Sequence, residues 1–244
     1  MCWSEAASLG MVGLGTVATG VTVMRREPPA IPFALGYFTL MEALQFAGYQ
    51  VVDECGTAAN QAITLLSFLH IVFQPFVINA FMMELVPAPV KARMRRAVFA
   101  VCAASAAVML AQLAPFDWAG ACAPGALLCA ERLCLVSGEW HIAWDIPYNG
   151  LLVPLETALG TSPGFPSYML AVFVMPLLYG AWRFVLFHLL AGPLLARLLT
   201  DNPNEMPAIW CLFSIGLVLA GLSPAIRRRF SATRWPLWPP AWRV

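Results

Sequence analysis

The sequence predicts an all-α integral membrane protein, a seven-helix bundle with its N-terminus outside and its C-terminus cytoplasmic. Three observations predict it. Hydrophobic residues make up 60% of the 244 and charged residues 11%, with a mean hydropathy of +0.74, whereas roughly 25% of a soluble domain is charged. The apolar residues fall into runs near the ~20 residues that cross hydrocarbon. The basic residues gather in alternate connecting segments, the bias that orients membrane chains.

Taken in order, residues 6–24 form the first apolar span. Thr16 and Gly20 give it the small-xxx-small spacing of closely packed helices. No basic segment precedes it, Glu5 is its first charge and Arg25-Arg26 follow, so it reads as a retained helix rather than a cleaved signal. Residues 31–52 form the second span, closed by Asp53-Glu54-Cys55-Gly56. Residues 61–85 form the third, ended by Pro87 and Pro89. Lys91, Arg93, Arg95 and Arg96 lead into a fourth span that reaches about Leu113. A loop over 115–138 carries Cys122, Cys129 and Cys134, and a fifth span is expected over 138–155. Thr161–Pro166 has the composition of a turn.

Residues 167–199 would make a helix of about 50 Å, longer than the roughly 30 Å hydrocarbon core. One long sixth span kinked at Pro176 and Pro193 is expected, the alternative being a split at Tyr179-Gly180. Asp201-Asn202-Pro203-Asn204-Glu205 is a turn and 206–222 the seventh span. Residues 1–226 thus read as a single transmembrane domain. Residues 227–244 read as a basic tail whose Trp235, Trp238 and Trp242 suit the interface.

This topology puts Arg25, Arg26, Lys91, Arg93, Arg95, Arg96 and the tail arginines on the cytoplasmic side. Arg132, Arg197 and most acids fall opposite. Charge is segregated by side rather than gathered in one patch, so the bilayer is the expected partner and nucleic acid is not. Oligomeric state is not legible. A single lysine, Lys91, beside many arginines and alanines points to a GC-rich bacterial source, hence a bacterial inner membrane. Cys2, Cys55, Cys122, Cys129 and Cys134 fall outside, where disulfides persist; metal ligation and free thiols are the alternatives. Spacing does not fix their pairing.

The polar residues inside the spans carry the functional expectation, because ionisable groups in hydrocarbon are costly and mark sites. Glu42 and Gln45 lie in the second span, and Ser67, His70 and Gln74 share a face of the third. If helical, the stretch from Ser137 to Gly150 sets His141, Asp145 and Asn149 at i, i+4 and i+8 on one face. His188 and Arg183 lie in the sixth span. All three histidines are placed in the outer half of the bilayer, on separate helices, as ligands for a divalent metal, zinc first. Asp145 or Glu42 would be the general base on a metal-bound water and Ser67 a hydrogen-bonding aid. Arg183 is expected to pair with Asp145. Trp140, Trp144, Tyr148 and Trp182 would wall a pocket or belong to an interfacial belt. The function expected is metal-assisted hydrolysis or modification of a lipid-like substrate. The alternatives are a redox protein holding b-type haem between two histidines, and a transporter, sensor or assembly factor using Glu42, Asp145 and Arg183 as an ion or proton relay.

The opening Met1-Cys2-Trp3-Ser4, Glu42-Ala43-Leu44-Gln45 and the block Trp140-His141-Ile142-Ala143-Trp144-Asp145 resemble a bacterial membrane-protein family without an assigned function, over nearly the whole chain. A looser similarity runs to seven-span metal hydrolases, the alkaline ceramidases and adiponectin receptors. Their zinc sits on three histidines beside a serine and an aspartate. Ser67-x2-His70 is similar to their Ser-x3-His, while His188 stands alone where they carry His-x3-His.

Overall fold

The computed structural model describes residues 4–159, 165–211 and 213–239. Cys2, the rest of the opening motif before Ser4, most of the Thr161–Pro166 turn and Trp242 lie outside the described residues.

Helix α1 (Glu5–Met24) starts where the Ser4 hydroxyl accepts the N–H of Ala7, satisfying one of the donors a helix start leaves open. It packs along α2 (Ala30–Tyr49). The close approach is made at Gly15, where any Cβ would collide with Thr39, and not at Gly20, which faces open space. Helix α3 (Ala58–Met82, extended by a 3-10 turn over Met83–Leu85) is capped by Thr57 and is the central helix. Its apolar stretch is 67% buried inside the protein, against 22–39% for the other candidate spans. Helix α4 (Ala88–Gln112) follows.

The expected fifth span is not a helix. Residues 113–159 form an irregular cap holding a hairpin, β1 (Cys134–Ser137) against β2 (Ile142–Asp145), antiparallel with Cys134 opposite Asp145 and Ser137 opposite Ile142. A short helix, α5 (Val153–Leu159), follows. The misreading has a physical cause: Ile142, Ala143 and Trp144 are all buried, so β2 is covered on both faces and lacks the alternation that marks a strand. Gly138 closes the hairpin turn where a Cβ would strike the His141 carbonyl and the Glu205 carboxylate. Pro147, with no N–H to donate, follows β2 closely.

The expected long sixth span is likewise broken, into α6 (Pro166–Leu178) and α7 (Trp182–Leu199). Gly180 turns the chain at φ +94°, under the ring of Trp238. Helix α8 (Met206–Leu222) then meets α9 (Pro224–Phe230) at a bend of 111°. Helices α1 to α4 and α7 are each long and apolar enough to cross a membrane.

The connections collect at two ends. At one, Arg25 bonds the Leu222 carbonyl, Ala232 N–H bonds the Leu85 carbonyl and Trp238 Nε1 bonds the Tyr179 carbonyl. This end carries Arg25, Arg26, Lys91, Arg93, Arg95, Arg96, Arg183 and Arg227–Arg229. At the other, the cap is fixed to the α2–α3 and α7–α8 turns. Asn60 donates to the Val51 and Leu135 carbonyls and accepts the Leu135 N–H. Asp53 accepts the N–H and hydroxyl of Ser137. Asn149 donates to the carbonyls of Ala111 and Ala114, closing the C-terminus of α4. Cys55 and Cys134 are at disulfide distance, Cα atoms 5.2 Å apart, as are Cys122 and Cys129 at 5.9 Å. All four lie at this cap end. Cys102 and Cys211 are buried free thiols.

Candidate functional site

Two π-helical stretches, Leu170–Val174 in α6 and Leu190–Leu194 in α7, flank the junction between bundle and cap. Such wide turns recur at functional sites because they re-aim side chains without ending the helix. Here they make room for Trp210 of α8. Gly192, off helical geometry at φ −104° and ψ −106°, lies so close to the Trp210 ring that no Cβ fits. The indole N–H donates to His188 Nε2 at 2.9 Å, and the ring lies 5.8 Å from those of Tyr168 and Phe173.

Trp210, Met169 and Leu127 are common to the walls of two adjoining cavities. The inner one, of about 20 Å³, is lined by Ile71, Gln74, Leu128, Phe165, Tyr168 and Cys211. The outer, of about 380 Å³, continues past Gly125, Pro193 and Met206 to Arg197 and Asp201, which pair at 3.3 Å. The roof is the loop closed by Cys122 and Cys129. Within it Leu128 takes a left-handed conformation, φ +64°, that a leucine adopts only under constraint. Its carbonyl accepts the Ile146 N–H at 2.9 Å, and the Leu127 carbonyl accepts the Tyr148 hydroxyl at 3.0 Å. The inner lining is apolar with few polar groups, whereas the outer one sets a charged pair beside its apolar wall, the mixture that suits an amphipathic ligand. The Tyr168 hydroxyl donates to Gln74 Oε1 at 2.9 Å. Behind Cys211 lies Gln45, and one turn along α2 the Glu42 carboxylate accepts the Ser214 hydroxyl at 3.3 Å. Glu42, Gln45 and Ser67 are all buried.

The histidines are not brought together. His70 bonds the Tyr37 carbonyl through Nε2 at 2.8 Å and stacks on the Tyr37 ring, facing α2. His188 serves Trp210. His141 sits in the cap hairpin, its Nδ1 accepting the Ile142 N–H at 2.7 Å and lying 3.1 Å from the Tyr49 hydroxyl. Its burial at 1% exposure pushes its pKa down to about 3, so the ring is neutral. Among the described residues no three His, Cys, Asp or Glu side chains are grouped to hold a metal ion. Asp145 and Arg183 are at opposite ends: Asp145 accepts from Asn204 at 2.7 Å, while Arg183 donates to the carbonyls of Arg229 and Ser231. A span over 138–155 would have brought His141 and Asp145 into the bilayer; the hairpin leaves both in the cap.

A family model described as a family of unknown function (DUF5765) matches residues 6–231. The chain belongs to that family. No curated protein and no solved structure matches it. The stretch matched to DUF5765 takes in the whole cap and every residue named above as lining the two cavities.

Sequence reasoning passed over Glu205, which read as part of a turn. It is fully buried, accepts the N–H groups of Glu139, Trp140 and His141 and the hydroxyl of Thr200, and so holds the hairpin turn. Its neighbour Asn204 donates to the Cys129 carbonyl and accepts the Trp144 N–H through its backbone. The only signal for either was polar density in a short turn, which is equally the mark of a solvated one.

Proposed function

We propose that this protein is a seven-span membrane protein that binds an amphipathic, largely apolar molecule beneath its disulfide-stapled cap. The observation that carries the reading is the cavity of about 380 Å³ under the cap, walled by Leu127, Met169, Met206 and Trp210 together with Arg197 and Asp201. The apolar part of the molecule would lie against Leu127, Met169, Met206 and Trp210 in the outer cavity, and its polar head would remain near Arg197 and Asp201. In this reading α6 and α8 join the five longer helices as spans, and the arginine-rich end is cytoplasmic by the positive-inside bias. The cap is then external, where its disulfides persist, and the membrane is the bacterial inner membrane. The hydrolase, haem and ion-relay readings draw their support from polar groups that lie apart: His70 faces α2, His188 faces Trp210, His141 is in the cap, and Asp145 and Arg183 are at opposite ends.

A photoreactive diazirine analogue of a long-chain fatty acid tests the proposal on the purified chain. Mass spectrometry should place adducts at Leu127, Met169 and Trp210. Substitution Met169→Trp, which fills the shared wall, should remove most of them. Adducts confined to lipid-facing positions such as Leu9, Val17 and Leu198, exposed at 52%, 64% and 75%, would overturn it.

A further inference from the structure

The arginine-rich end has more cations than the protein uses. Its acids, Glu27 and Glu84, are both engaged, by Arg227 at 2.6 Å and Lys91 at 2.5 Å. Arg25 and Arg183 are spent on backbone carbonyls. Arg26, Arg93, Arg96, Arg228 and Arg229 are exposed, and no ion pair joins them to an acid among the described residues.

Their carriers are held next to one another. Arg227 ties the start of α9 to the turn after α1 through Glu27, and the Ala232–Leu85 backbone bond ties the segment after α9 to the turn before α4. Helix α9 leaves α8 at 111° and so lies across the bundle axis. Ile226 and Phe230, one turn apart, pack inward, Phe230 against Phe184 and Phe187 at 5.2 and 5.3 Å. Arg228 and Arg229 are on the exposed part of the helix. Trp235 stacks on Trp182 and Trp238 bonds the Tyr179 carbonyl, so the segment after α9 is folded back against this end.

A short helix held against the protein by its apolar face and lying across the bundle axis turns its arginines outward at the end of the bundle, where the headgroup layer of a membrane lies. We infer that Arg228 and Arg229 of α9, with Arg26 and the α4 arginines Arg93 and Arg96, form a binding surface for anionic phospholipid headgroups. The guanidinium groups supply paired N–H donors for phosphate oxygens. The inference rests on the membrane-spanning reading and not on the cavity.

The test compares tryptophan quenching of the full chain in mixed micelles by brominated phosphatidylglycerol and brominated phosphatidylcholine. The anionic lipid should bind more tightly, and its advantage should shrink as salt is raised. Each arginine near the surface contributes about fivefold, so Arg228→Gln/Arg229→Gln should weaken phosphatidylglycerol about 25-fold and leave phosphatidylcholine unchanged. Arg93→Gln/Arg96→Gln, on a different helix, should do the same and serves if the first variant does not fold. Equal binding of the two lipids by the unaltered chain would overturn the inference. So would full competition by soluble glycerophosphoglycerol at equal concentration, which would mark a free-phosphate site. Either result leaves the cavity-labelling experiment untouched.

Discussion

The buried carboxylate of Glu205 accepts the backbone N–H of His141, a residue 64 positions earlier in the chain. This bond, with those from Glu139 and Trp140, joins the α7–α8 turn to the cap hairpin. The cavity lies between the elements so joined, since Trp210 belongs to α8 and Leu127 to the cap. A carboxyl group that accepts from several successive backbone donors is a strong arrangement, and removing it leaves those donors stranded.

Glu205→Ala should therefore destabilise the protein by about 3–5 kcal/mol, a fall in Tm of roughly 10 °C. Glu205→Gln keeps the shape and one good acceptor oxygen and should fall between. Thermal unfolding and protease cleavage within 113–159 would measure both. An alanine variant as stable as the parent would show that the hairpin does not need this anchor.

Mass spectrometry of unreduced protein should find Cys55 joined to Cys134 and Cys122 joined to Cys129, with Cys102 and Cys211 alkylated only after unfolding. The two links should differ in weight. Chain-entropy arguments give about 4.5 kcal/mol for a loop spanning 79 residues and about 2.4 kcal/mol for one spanning 7. Cys55→Ser/Cys134→Ser should thus cost roughly twice as much stability as Cys122→Ser/Cys129→Ser. The second pair of substitutions should instead loosen the roof over the cavity and lower fatty-acid labelling at Leu127.

The first four helices and α8 were legible because each is a run of apolar residues bounded by charge, proline or glycine. Cys55, Cys122, Cys129 and Cys134 were legible as disulfide candidates because their segments fall at one end of the bundle. The hairpin was not legible. Ile142, Ala143 and Trp144 are buried on both faces of β2, and periodicity cannot tell such a strand from part of a buried helix. Gly138, Pro147 and Gly150 were the available signs. The break at Gly180 was visible as an alternative, but its left-handed turn depends on Trp238, 58 residues on, which local sequence does not announce. The histidines misled because depth along a helix says nothing about the direction a ring faces. His70 and His188 lie about 18 and 17 Å from the cap end of their helices, at 1.5 Å per residue, yet one faces Tyr37 and the other Trp210.

The two readings of residues 138–199 differ in topology and can be separated directly. With a fifth span over 138–155 and an unbroken helix over 167–199, a reporter fused after residue 159 is cytoplasmic. With a cap hairpin and a turn at Gly180, the same fusion is external and one after residue 180 is cytoplasmic. Fusions after residues 90 and 229 should be cytoplasmic and one after 125 external in either case. A cytoplasmic signal after residue 159 would count against the cap as drawn.

The neutral state of His141 makes the stability of the cap depend on pH. Its pKa of about 3 in the folded protein lies below the value near 6.5 of an unfolded histidine. Between these values the unfolded chain binds the proton and the folded chain does not, so acid favours unfolding there. Stability is therefore full above about pH 6.5 and falls as pH drops toward 3. At pH 5.5 the loss from this one group is about 1.4 kcal/mol. Titratable groups beside the ring include the Tyr49 hydroxyl, 3.1 Å from Nδ1, and Glu205, which accepts the backbone N–H. His141→Gln retains a polar side chain within reach of Tyr49 but carries no titrating imidazole. Its Tm should start lower than the parent's at pH 7.5 and decline less between pH 7.5 and 5.5. Equal declines in parent and variant would place the acid sensitivity elsewhere and leave His141 as a packing residue of the hairpin.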